Sequence, residues 1–265
     1  MKTKALKVVE DLESRSIWVE ALRRLKTQFG ASGLKLSTED AAMGLDQIDY
    51  WNRLCSGIVL VVVKIGGPNA RNDIKQLLAM KVDGLIAPMV ESLYWLENYM
   101  EAIQDYKTPK QFASLDKHIN IETQVAVEQL DTILASPLAG QLDEITIGCT
   151  DLCKSMKRSI QDPYLVDCVK DCVAKIKSKG LKVSFGGGVS PMGIDARLKE
   201  IIPDKFNTRL VTFDVLAGQS YREAVRDALR LEIQTLAIDR KKGFISGEEG
   251  KFRTWELEKR LSLQD

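Results

Sequence analysis

This sequence has almost no excess charge of either sign and no long apolar run. Its 38 basic and 37 acidic residues leave a net charge of +1, and no dense basic segment with interleaved aromatic residues indicates a nucleic-acid partner. No apolar stretch approaches the roughly 20 residues that a membrane-spanning helix needs. The N-terminal segment carries acidic residues where a signal peptide needs its apolar stretch. We therefore predict a cytoplasmic protein without a nucleic-acid or membrane partner.

Cysteine and histidine are also scarce. The five cysteines are an odd number in a chain predicted to be cytoplasmic, which argues against a disulfide framework. The pairs Cys149/Cys153 and Cys168/Cys172 have spacings that zinc sites use. A four-residue step also places Cys168 and Cys172 on one apolar helix face, so we favour packing in the core over zinc. His118 is the only histidine, which leaves no histidine cluster for a metal.

Strand and helix patterns alternate along most of the chain. The segments with strand patterns are 33–37, 57–65, 83–90, 118–123, 143–148, 181–189 and 208–214. Helical patterns connect them, and repeated βα units predict a parallel sheet with right-handed connections. Seven strands without a dinucleotide-binding glycine signature favour an α/β barrel of the TIM type, (β/α)8, over an open sheet. We expect a further first strand within residues 1–13, although no strand pattern is evident there.

The chain extends well beyond its last predicted strand. We assign residues 1–217 to the barrel and residues 218–265 to a C-terminal helical extension. The extension carries a long apolar helical stripe and further large apolar side chains: Phe244, Ile245, Phe252, Trp255 and Leu257. Unburied patches of this kind usually mark an interface, which predicts a homo-oligomer with the extension in the contact. In the alternative, the extension folds back over the bottom of its own barrel.

Active sites of α/β barrels collect at the C-terminal ends of the strands. The residues delivered there are Glu39, Asp40, Lys64, Glu91, Asn120, Glu122, Thr150, Asp151, Gly186 and Gly187. Glu122 and Asp151 follow neighbouring strands, and two carboxylates suit a hard cation such as Mg²⁺ or Mn²⁺. Carboxylates also stabilise helix N-termini, and residue chemistry alone favours neither interpretation.

Three other features are expected to be structural. His118 begins the strand that carries Glu122, so it should lie at the opposite end of the barrel. Arg209 precedes the last strand, which places it at an N-terminal strand end, away from the site. The run Gly186–Gly188 can cradle a phosphate or simply leave space above a pocket, and Pro191 after it favours the second explanation.

Three blocks of sequence resemble the HpcH/HpaI aldolase and citrate lyase family. They are KIGGPNARNDIKQLLAMKVDGLIAPMVES, NIETQVAVEQLDTILA and LDEITIGCTDL, within about residues 58–152. The resemblance implies an enzyme that cleaves or forms carbon–carbon bonds next to a 2-oxo acid or acyl-CoA. It also implies that Glu122 and Asp151 hold the Mg²⁺ or Mn²⁺. The oligomers of the family exchange a C-terminal helix, which agrees with the predicted homo-oligomer.

The resemblance assigns further roles at the site. Lys64 stands where the family has an arginine that neutralises the substrate and the developing charge, and Asn120 stands where a glutamine is usual. The backbone N–H groups of Thr150 and Asp151 are expected to bind the substrate carboxylate, and Gly186 and Gly187 are expected to border it.

One position departs clearly from the family. The family's Glu-His pair reads Glu39-Asp40 here. Base catalysis then falls to Glu39, Asp40 or a metal-bound water, with Glu91 as a residue that orients the base or the water. The expected function is a metal-dependent lyase or aldolase that forms the enolate of a small 2-oxo acid of the pyruvate or oxaloacetate type. The alternatives are a synthase or transferase that joins the enolate to an acyl-CoA, phosphoenolpyruvate or another acceptor, and a barrel without catalytic activity.

Overall fold

Eight strands and eleven α-helices alternate in residues 2–262, the part of the chain that the computed structural model describes. The strands are β1 (Ala31–Ser37), β2 (Leu60–Lys64), β3 (Gly84–Ala87), β4 (Asp116–Ile121), β5 (Glu144–Gly148), β6 (Lys182–Gly186), β7 (Lys205–Asn207) and β8 (Val211–Asp214). The helices are α1 (Lys2–Phe29), α2 (Leu45–Cys55), α3 (Arg71–Ala79), α4 (Leu93–Gln104), α5 (Pro109–Ala113), α6 (Gln124–Ala135), α7 (Cys149–Met156), α8 (Pro163–Ser178), α9 (Ile194–Ile201), α10 (Arg222–Lys242) and α11 (Gly247–Ser262). Within residues 2–262, no helix is both long and apolar enough to cross a bilayer.

The strands close into one barrel in chain order, which confirms the predicted fold class. Strands β1 to β7 are parallel, and the apolar residues on their outer faces lie under the surrounding helices. The β-branched run in β2 illustrates the pattern, because Val61 and Val63 are 1% and 0% exposed. We call the end of the barrel where the parallel strands terminate the rim.

The expected strand within residues 1–13 is wrong, because residues 2–13 belong to α1 and residue 1 lies outside the described residues. Segment 33–37 is already part of the first strand, and the strand that the sequence analysis missed is β7. With three residues, β7 is too short to show the alternation by which strands are recognised. The prolonged helical pattern of 14–29 indicated the second half of α1.

Strand β8 runs antiparallel to both of its neighbours, so the expectation of an all-parallel barrel is also wrong. Only Thr208, Arg209 and Leu210 separate β7 from β8, and a parallel connection needs a much longer crossover. Thr208 closes the turn: its backbone N–H donates to the Val211 carbonyl at 2.9 Å, and its Oγ1 accepts from the Val211 N–H at 2.9 Å. The inversion puts the start of β8 at the rim. Arg209 therefore lies beside the expected site and not at the opposite end.

Polar side chains fill much of the barrel interior. Thr146 Oγ1 and Ser184 Oγ are 2.8 Å apart, and Asn207 Nδ2 donates to the same Ser184 oxygen at 3.1 Å. These buried groups therefore satisfy one another across β5, β6 and β7.

His118 faces this interior on β4, four residues before Glu122, which agrees with its expected place at the opposite end from the site. Burial lowers the pKa of His118, although the carboxylates of Glu144 and Asp116 favour its charged form. Glu144 forms an ion pair at 3.0 Å with Lys205. His118 is thus part of a buried charged cluster at the lower end of the barrel.

The C-terminal extension packs against its own chain. α10 lies along α1, where Trp18 Nε1 donates to Thr235 Oγ1 at 2.8 Å. Near the end of α10, the Asp239 carboxylate accepts from Gln47 Nε2 at 2.9 Å and from Trp51 Nε1 at 2.8 Å. These contacts join α10 to the helices next to β1, the strand that pairs with β8.

α11 folds back along α10 and ends at the rim. Arg260 donates to the carbonyl of Val189, which follows the glycines after β6, at 2.8 Å. Leu257 is buried, whereas Phe252 and Trp255 are 60% and 57% exposed. The extension thus folds onto its own barrel, as the alternative expected, but it does not only cover the bottom: it begins there, where Tyr221 donates to the Asp214 carbonyl, and α11 ends at the rim. The homo-oligomer stays a prediction.

Candidate active site

Glu122 is a deeply buried carboxylate at the rim. It follows β4 and is 2% exposed. Its Oε1 accepts from the Met89 backbone N–H and its Oε2 from Asn120 Nδ2, both at 3.0 Å. Met89 has φ +52°, an unusual value for a side-chain-bearing residue, and this conformation belongs to the turn that presents its N–H to Glu122.

The charge on Glu122 is only partly compensated. Burial raises its pKa, and the nearby Asp151 carboxylate adds to the effect, although Lys64 and the hydrogen bonds from Met89 and Asn120 oppose it. Glu122 does not cap the next helix. That role belongs to Thr123, whose Oγ1 accepts from the Ala126 N–H at 3.1 Å. The burial of Glu122 beside another carboxylate therefore fits a cation ligand better than a helix-stabilising charge.

Gly148 creates the space in which Glu122 lies. A Cβ atom at Gly148 would be 2.5 Å from Glu122 Oε2 and 2.6 Å from Glu122 Cβ. The backbone of Gly148 has φ −85°, which other residues adopt easily, so the requirement for glycine comes from space alone. The glycine of the block LDEITIGCTDL is thus explained by the glutamate that follows the neighbouring strand.

Asp151 lies in the first turn of α7, which begins directly after β5. Its Oδ1 accepts from Lys154 Nζ at 2.9 Å, and its side chain is 36% exposed. Asp151 therefore fits the alternative of a helix N-terminal carboxylate, but it is also close enough to Glu122 to raise the pKa of that residue. The two interpretations are compatible for this residue.

These residues fit a divalent cation with an open coordination sphere. Among the described residues, no group of three or more His, Cys, Asp or Glu side chains is arranged for a metal. Mg²⁺ and Mn²⁺ commonly use one or two carboxylates and complete their shell with water and substrate. Asn120 is 4% exposed, and its buried Oδ1 has no hydrogen-bond partner within residues 12–262. That oxygen can accept from a water molecule or a substrate hydroxyl beside Glu122.

Lys64, at the end of β2, is the central cation of the site. It is 5% exposed, and its Nζ lies 2.5 Å from Glu39 Oε2 and 3.5 Å from Asp40 Oδ1. Burial disfavours its charge, but Asp40, Glu39 and Glu122 outweigh burial and raise the pKa of Lys64. Ser37 Oγ accepts from the N–H groups of Glu39 and Asp40, both at 3.1 Å, and so holds the turn that carries them.

Asp40 is a weak base in this setting. Burial acts to raise its pKa, but Lys35, Lys64, the hydrogen bond with Ser37 and Arg209 lower it to about 2. A general base works best with a pKa near the working pH, which disfavours Asp40 for that role. Glu39 remains the candidate on this turn.

A family model described as HpcH/HpaI aldolase/citrate lyase matches residues 37–184, more than half of the chain. The chain belongs to this family. The matched segment contains Glu39, Lys64, Glu122 and Asp151 and ends within β6. No curated protein sequence matches the chain.

Solved structures share the fold at low sequence identity. An HpcH/HpaI aldolase/citrate lyase family protein from Burkholderia cenocepacia J2315 has 15% identity and a TM-score of 0.54, over 68% of this chain and 88% of the other. The citrate synthase SbnG has 16% identity and a TM-score of 0.57, over 84% and 98% of the two chains. Macrophomate synthase has 14% identity and a TM-score of 0.54, over 72% of both chains. At these identities the similarity concerns the barrel alone.

Two cations that the sequence analysis did not assign to the site lie at the rim of this family member. Arg209 Nη2 donates to the Asp40 carbonyl at 3.2 Å, and its Nε is 3.9 Å from Asp40 Oδ2. Lys35 is half-buried and lines the interior cavity; burial lowers its pKa, although Asp40 and Glu122 oppose the effect. The alternation of Lys35 with the outward residues Leu34 and Leu36 was the signal for its inward position.

Glu91 and the glycines have supporting places. Glu91 Oε1 accepts from Thr123 Oγ1 at 2.7 Å, so it positions the residue that follows Glu122 and makes no contact with Lys64. Gly187 has φ +88°, and a Cβ there would be 2.6 Å from the Thr150 backbone nitrogen. Gly187 therefore leaves that N–H accessible. This supports the explanation that the glycines leave space above the pocket, and not the explanation that they cradle a phosphate. Gly186 is less constrained, since its Cβ would approach Asn207 Cβ at 3.4 Å.

A large cleft lies away from these residues. It has a volume of about 930 Å³ and borders the starts of β1 and β2, at the end of the barrel opposite the rim. Lys26, Arg53 and Asp83 line it, and none of the residues predicted for the site does. Size alone would therefore have pointed away from the clustered ionisable groups.

Proposed function

We propose that this chain is a divalent-metal-dependent carbon–carbon lyase or aldolase that forms the enolate of a small 2-oxo acid, of the pyruvate or oxaloacetate type. The observation that carries the proposal is the buried Glu122 beside Asp151, in a space that Gly148 keeps open. Membership of a family of aldolases and citrate lyases supports the same reaction class.

Glu122 and Asp151 would hold Mg²⁺ or Mn²⁺. When bound, the cation would polarise the keto oxygen of the substrate and stabilise the enolate. The free N–H groups of Thr150 and Asp151, in the first turn of α7, would orient the substrate carboxylate. Asn120 Oδ1 would accept a hydrogen bond from a water molecule or a substrate hydroxyl, since no protein donor reaches it in the described chain.

Lys64 would neutralise the negative charge that develops as the bond breaks. Its raised pKa keeps it protonated, and the neighbouring carboxylates define its position. Lysine retains the charge of an arginine but not its two-pronged geometry, so it would bind through a single point of charge. Glu39, in contact with Lys64 at 2.5 Å, is the carboxylate that we assign to accepting and returning the substrate proton.

A synthase or transferase remains a second candidate, because the citrate synthase SbnG and macrophomate synthase share the fold. Both candidate reactions pass through an enolate. Exchange of the pyruvate methyl protons for deuterium, followed by NMR, therefore tests their common step. We expect exchange that requires Mg²⁺ or Mn²⁺ and is lost in Glu122→Gln. A protein that binds the metal and pyruvate but catalyses no exchange would support a barrel without catalytic activity.

We also propose that the chain assembles as a homo-oligomer through α11. Phe252 and Trp255 lie 6.2 Å apart between ring centroids and remain exposed on the outer side of the extension. Exposed adjacent aromatic rings support a contact surface of this kind. Of the other large apolar residues predicted for the contact, Ile245 and Leu257 are buried in the chain itself and Phe244 is half-buried, so the expected contact centres on Phe252 and Trp255.

A further inference from the structure

On the side of the rim formed by β1, β8, α10 and α11, several cations surround one buried carboxylate. Glu232 on α10 is 4% exposed, and its Oε2 has no hydrogen-bond partner in the described part of the chain. Four cations act on this single carboxylate: Arg209, Arg260, Arg253 and Lys35. Burial nevertheless raises the pKa of Glu232, which weakens it further as a counter-charge.

Two of these four cations have other carboxylate partners. Arg253 is neutralised by Glu249, at 3.1 Å. Arg209 Nε is 4.0 Å from Glu232 Oε1 and shares Asp40 with Lys64.

Lys35 and Arg260 have no carboxylate within ion-pair distance among residues 12–262. The only hydrogen bond of the Arg260 guanidinium there is to the Val189 carbonyl, and the Lys35 ammonium makes none. Burial lowers the pKa of Arg260, and the positive charge of Arg209 acts in the same direction, although the carboxylates of Glu232 and Glu256 oppose the effect. Partly buried cations without a carboxylate in contact are costly, so an anionic ligand would stabilise this side of the rim.

Lys35 links this side of the rim to Glu122. It projects from β1 into the barrel, and both Glu122 and Glu232 act on it electrostatically. A ligand bound at Glu122 therefore needs only a short chain to reach Lys35, Arg209 and Arg260. All three lie outside residues 37–184, the segment shared with the family.

We propose that Lys35, Arg209 and Arg260 form a second anion-binding subsite that takes the distal oxyanion of the substrate. The substrate is then a short 2-oxo acid with an anionic group at each end. This inference rests on the proposed function for the 2-oxo end of the molecule. Arginine and lysine together bind carboxylates and phosphate-type groups, so the shared feature of the ligand is a terminal oxyanion.

Matched pairs of 2-oxo acids test the subsite by calorimetry in the presence of Mn²⁺. 2-Oxoglutarate and 2-oxovalerate have the same chain length and differ in a terminal carboxylate or methyl group. Oxaloacetate and 2-oxobutyrate form the shorter pair, and 3-phosphonopyruvate replaces the distal carboxylate by a phosphonate. We expect the full-length protein to bind at least one doubly anionic compound about tenfold or more tightly than its matched monoanion.

The variants Lys35→Met and Arg260→Met should reduce that ratio to near unity and leave the affinity for the monoanion within about threefold. Arg260→Lys should retain part of the preference, because it keeps the charge. Lys251→Met is the control, since Lys251 is an exposed cation on the same helix α11. Thermal unfolding of each variant shows whether its fold is retained.

Equal affinity for both members of every pair in the unaltered protein would overturn the subsite and leave the proposed function standing. A preference that persists in both Lys35→Met and Arg260→Met would overturn it as well. Failure to bind any 2-oxo acid with Mn²⁺ would remove the proposed function together with the subsite. The compound with the highest affinity distinguishes a distal carboxylate from a phosphate-type group.

Discussion

Strands β4 and β5 and the closing strands β7 and β8 contribute opposite charges to the same rim. The first pair is parallel, lies inside the family segment and delivers Glu122 and Asp151. The second pair is an antiparallel hairpin outside that segment and delivers Arg209, next to Lys35 of β1. Under the two proposals above, the parallel strands β4 and β5 hold the reacting end of the substrate. The closing strands β7 and β8, together with Lys35 and Arg260, bind its other end.

The largest effect is expected for Mn²⁺ binding by Glu122 and Asp151, the carboxylates that follow the parallel strands β4 and β5. Glu122→Gln and Asp151→Asn should each abolish Mn²⁺ binding in calorimetry, because either change removes half of the protein ligands. Glu128→Gln, an exposed carboxylate on the helix after β4, should bind Mn²⁺ normally. Undiminished affinity in both site variants would contradict the metal assignment and the role given to the ends of β4 and β5.

Proton competition should accompany the metal effect. Burial raises the pKa of Glu122, so the native state holds this proton to a higher pH than an ordinary glutamate does. Mn²⁺ affinity should therefore fall as the pH is lowered through that raised pKa. Without metal, Glu122→Gln should unfold at a temperature at least as high as that of the unaltered chain at neutral pH, because it removes a buried charge.

Lys64 should show the next largest effect. Lys64→Ala should slow metal-dependent proton exchange of pyruvate about 10²- to 10³-fold, the usual size for the loss of a charge-stabilising group. Lys64→Arg should keep most of the activity, and Lys75→Ala, an exposed lysine on α3, should keep all of it. An alanine variant with normal exchange kinetics would place Lys64 outside the reacting end of the site.

Gly148→Ala sharpens the comparison by moving Glu122 without removing it. The new Cβ would overlap Glu122 Oε2, so the carboxylate must shift, and Mn²⁺ affinity should fall about 10- to 100-fold, as for lost support of a ligand. Gly140→Ala is the matched control, because no atom lies within 4 Å of a Cβ placed there. Equal affinity in the two variants would show that the position of Glu122 is not critical.

Asp239, near the end of α10, is expected to make the stability of the chain depend on pH. Burial raises the pKa of Asp239 from 3.8 to about 6, although Trp51 and Gln47 donate to it. Because the native state binds this proton more tightly, the free energy of unfolding should fall by about 2 kcal/mol as the pH rises from 4 to 6. Asp239→Asn should remove this dependence in thermal unfolding at pH 4 to 8.

The control for this effect is Asp167→Asn, on an exposed position, which should leave the pH dependence intact. In Asp239→Asn, a flipped Gln47 amide can accept from the new amide group, so both hydrogen bonds can persist. An unchanged pH profile in Asp239→Asn would locate the dependence in another group.

The smallest effect on the single chain is expected at its outer surface. Replacing Phe252 and Trp255 together by serine should leave thermal stability nearly unchanged and reduce the mass in light scattering from an oligomer to a monomer. Tyr164→Ser removes a comparably exposed aromatic residue on α8 and should not alter the mass. A monomeric unaltered chain would contradict the oligomer, as would a double variant of unchanged mass. Truncation after Lys241 is less specific, because it also removes Arg260 from the rim.

Long or strongly patterned segments could be read from the sequence because their signal is local. The β-branched run of β2, the alternation of β4 and the apolar stripe of α10 each report burial within a few residues. The predicted barrel placed Glu122, Asp151 and Lys64 at strand ends, the resemblance to the family gave them roles, and the structure brings these residues to one rim. Which residues perform catalysis stays a prediction.

The direction of β8 and the charges around Glu232 were decided only in the tertiary structure. β7 has three residues, too few for a pattern, and its pairing with β8 and β6 depends on partners distant in sequence. A single strand reversal moved Arg209 from one end of the barrel to the other. The meeting of Lys35, Arg209, Glu232 and Arg260 likewise depends on contacts between residues up to 225 positions apart, and no local preference of the chain encodes such contacts.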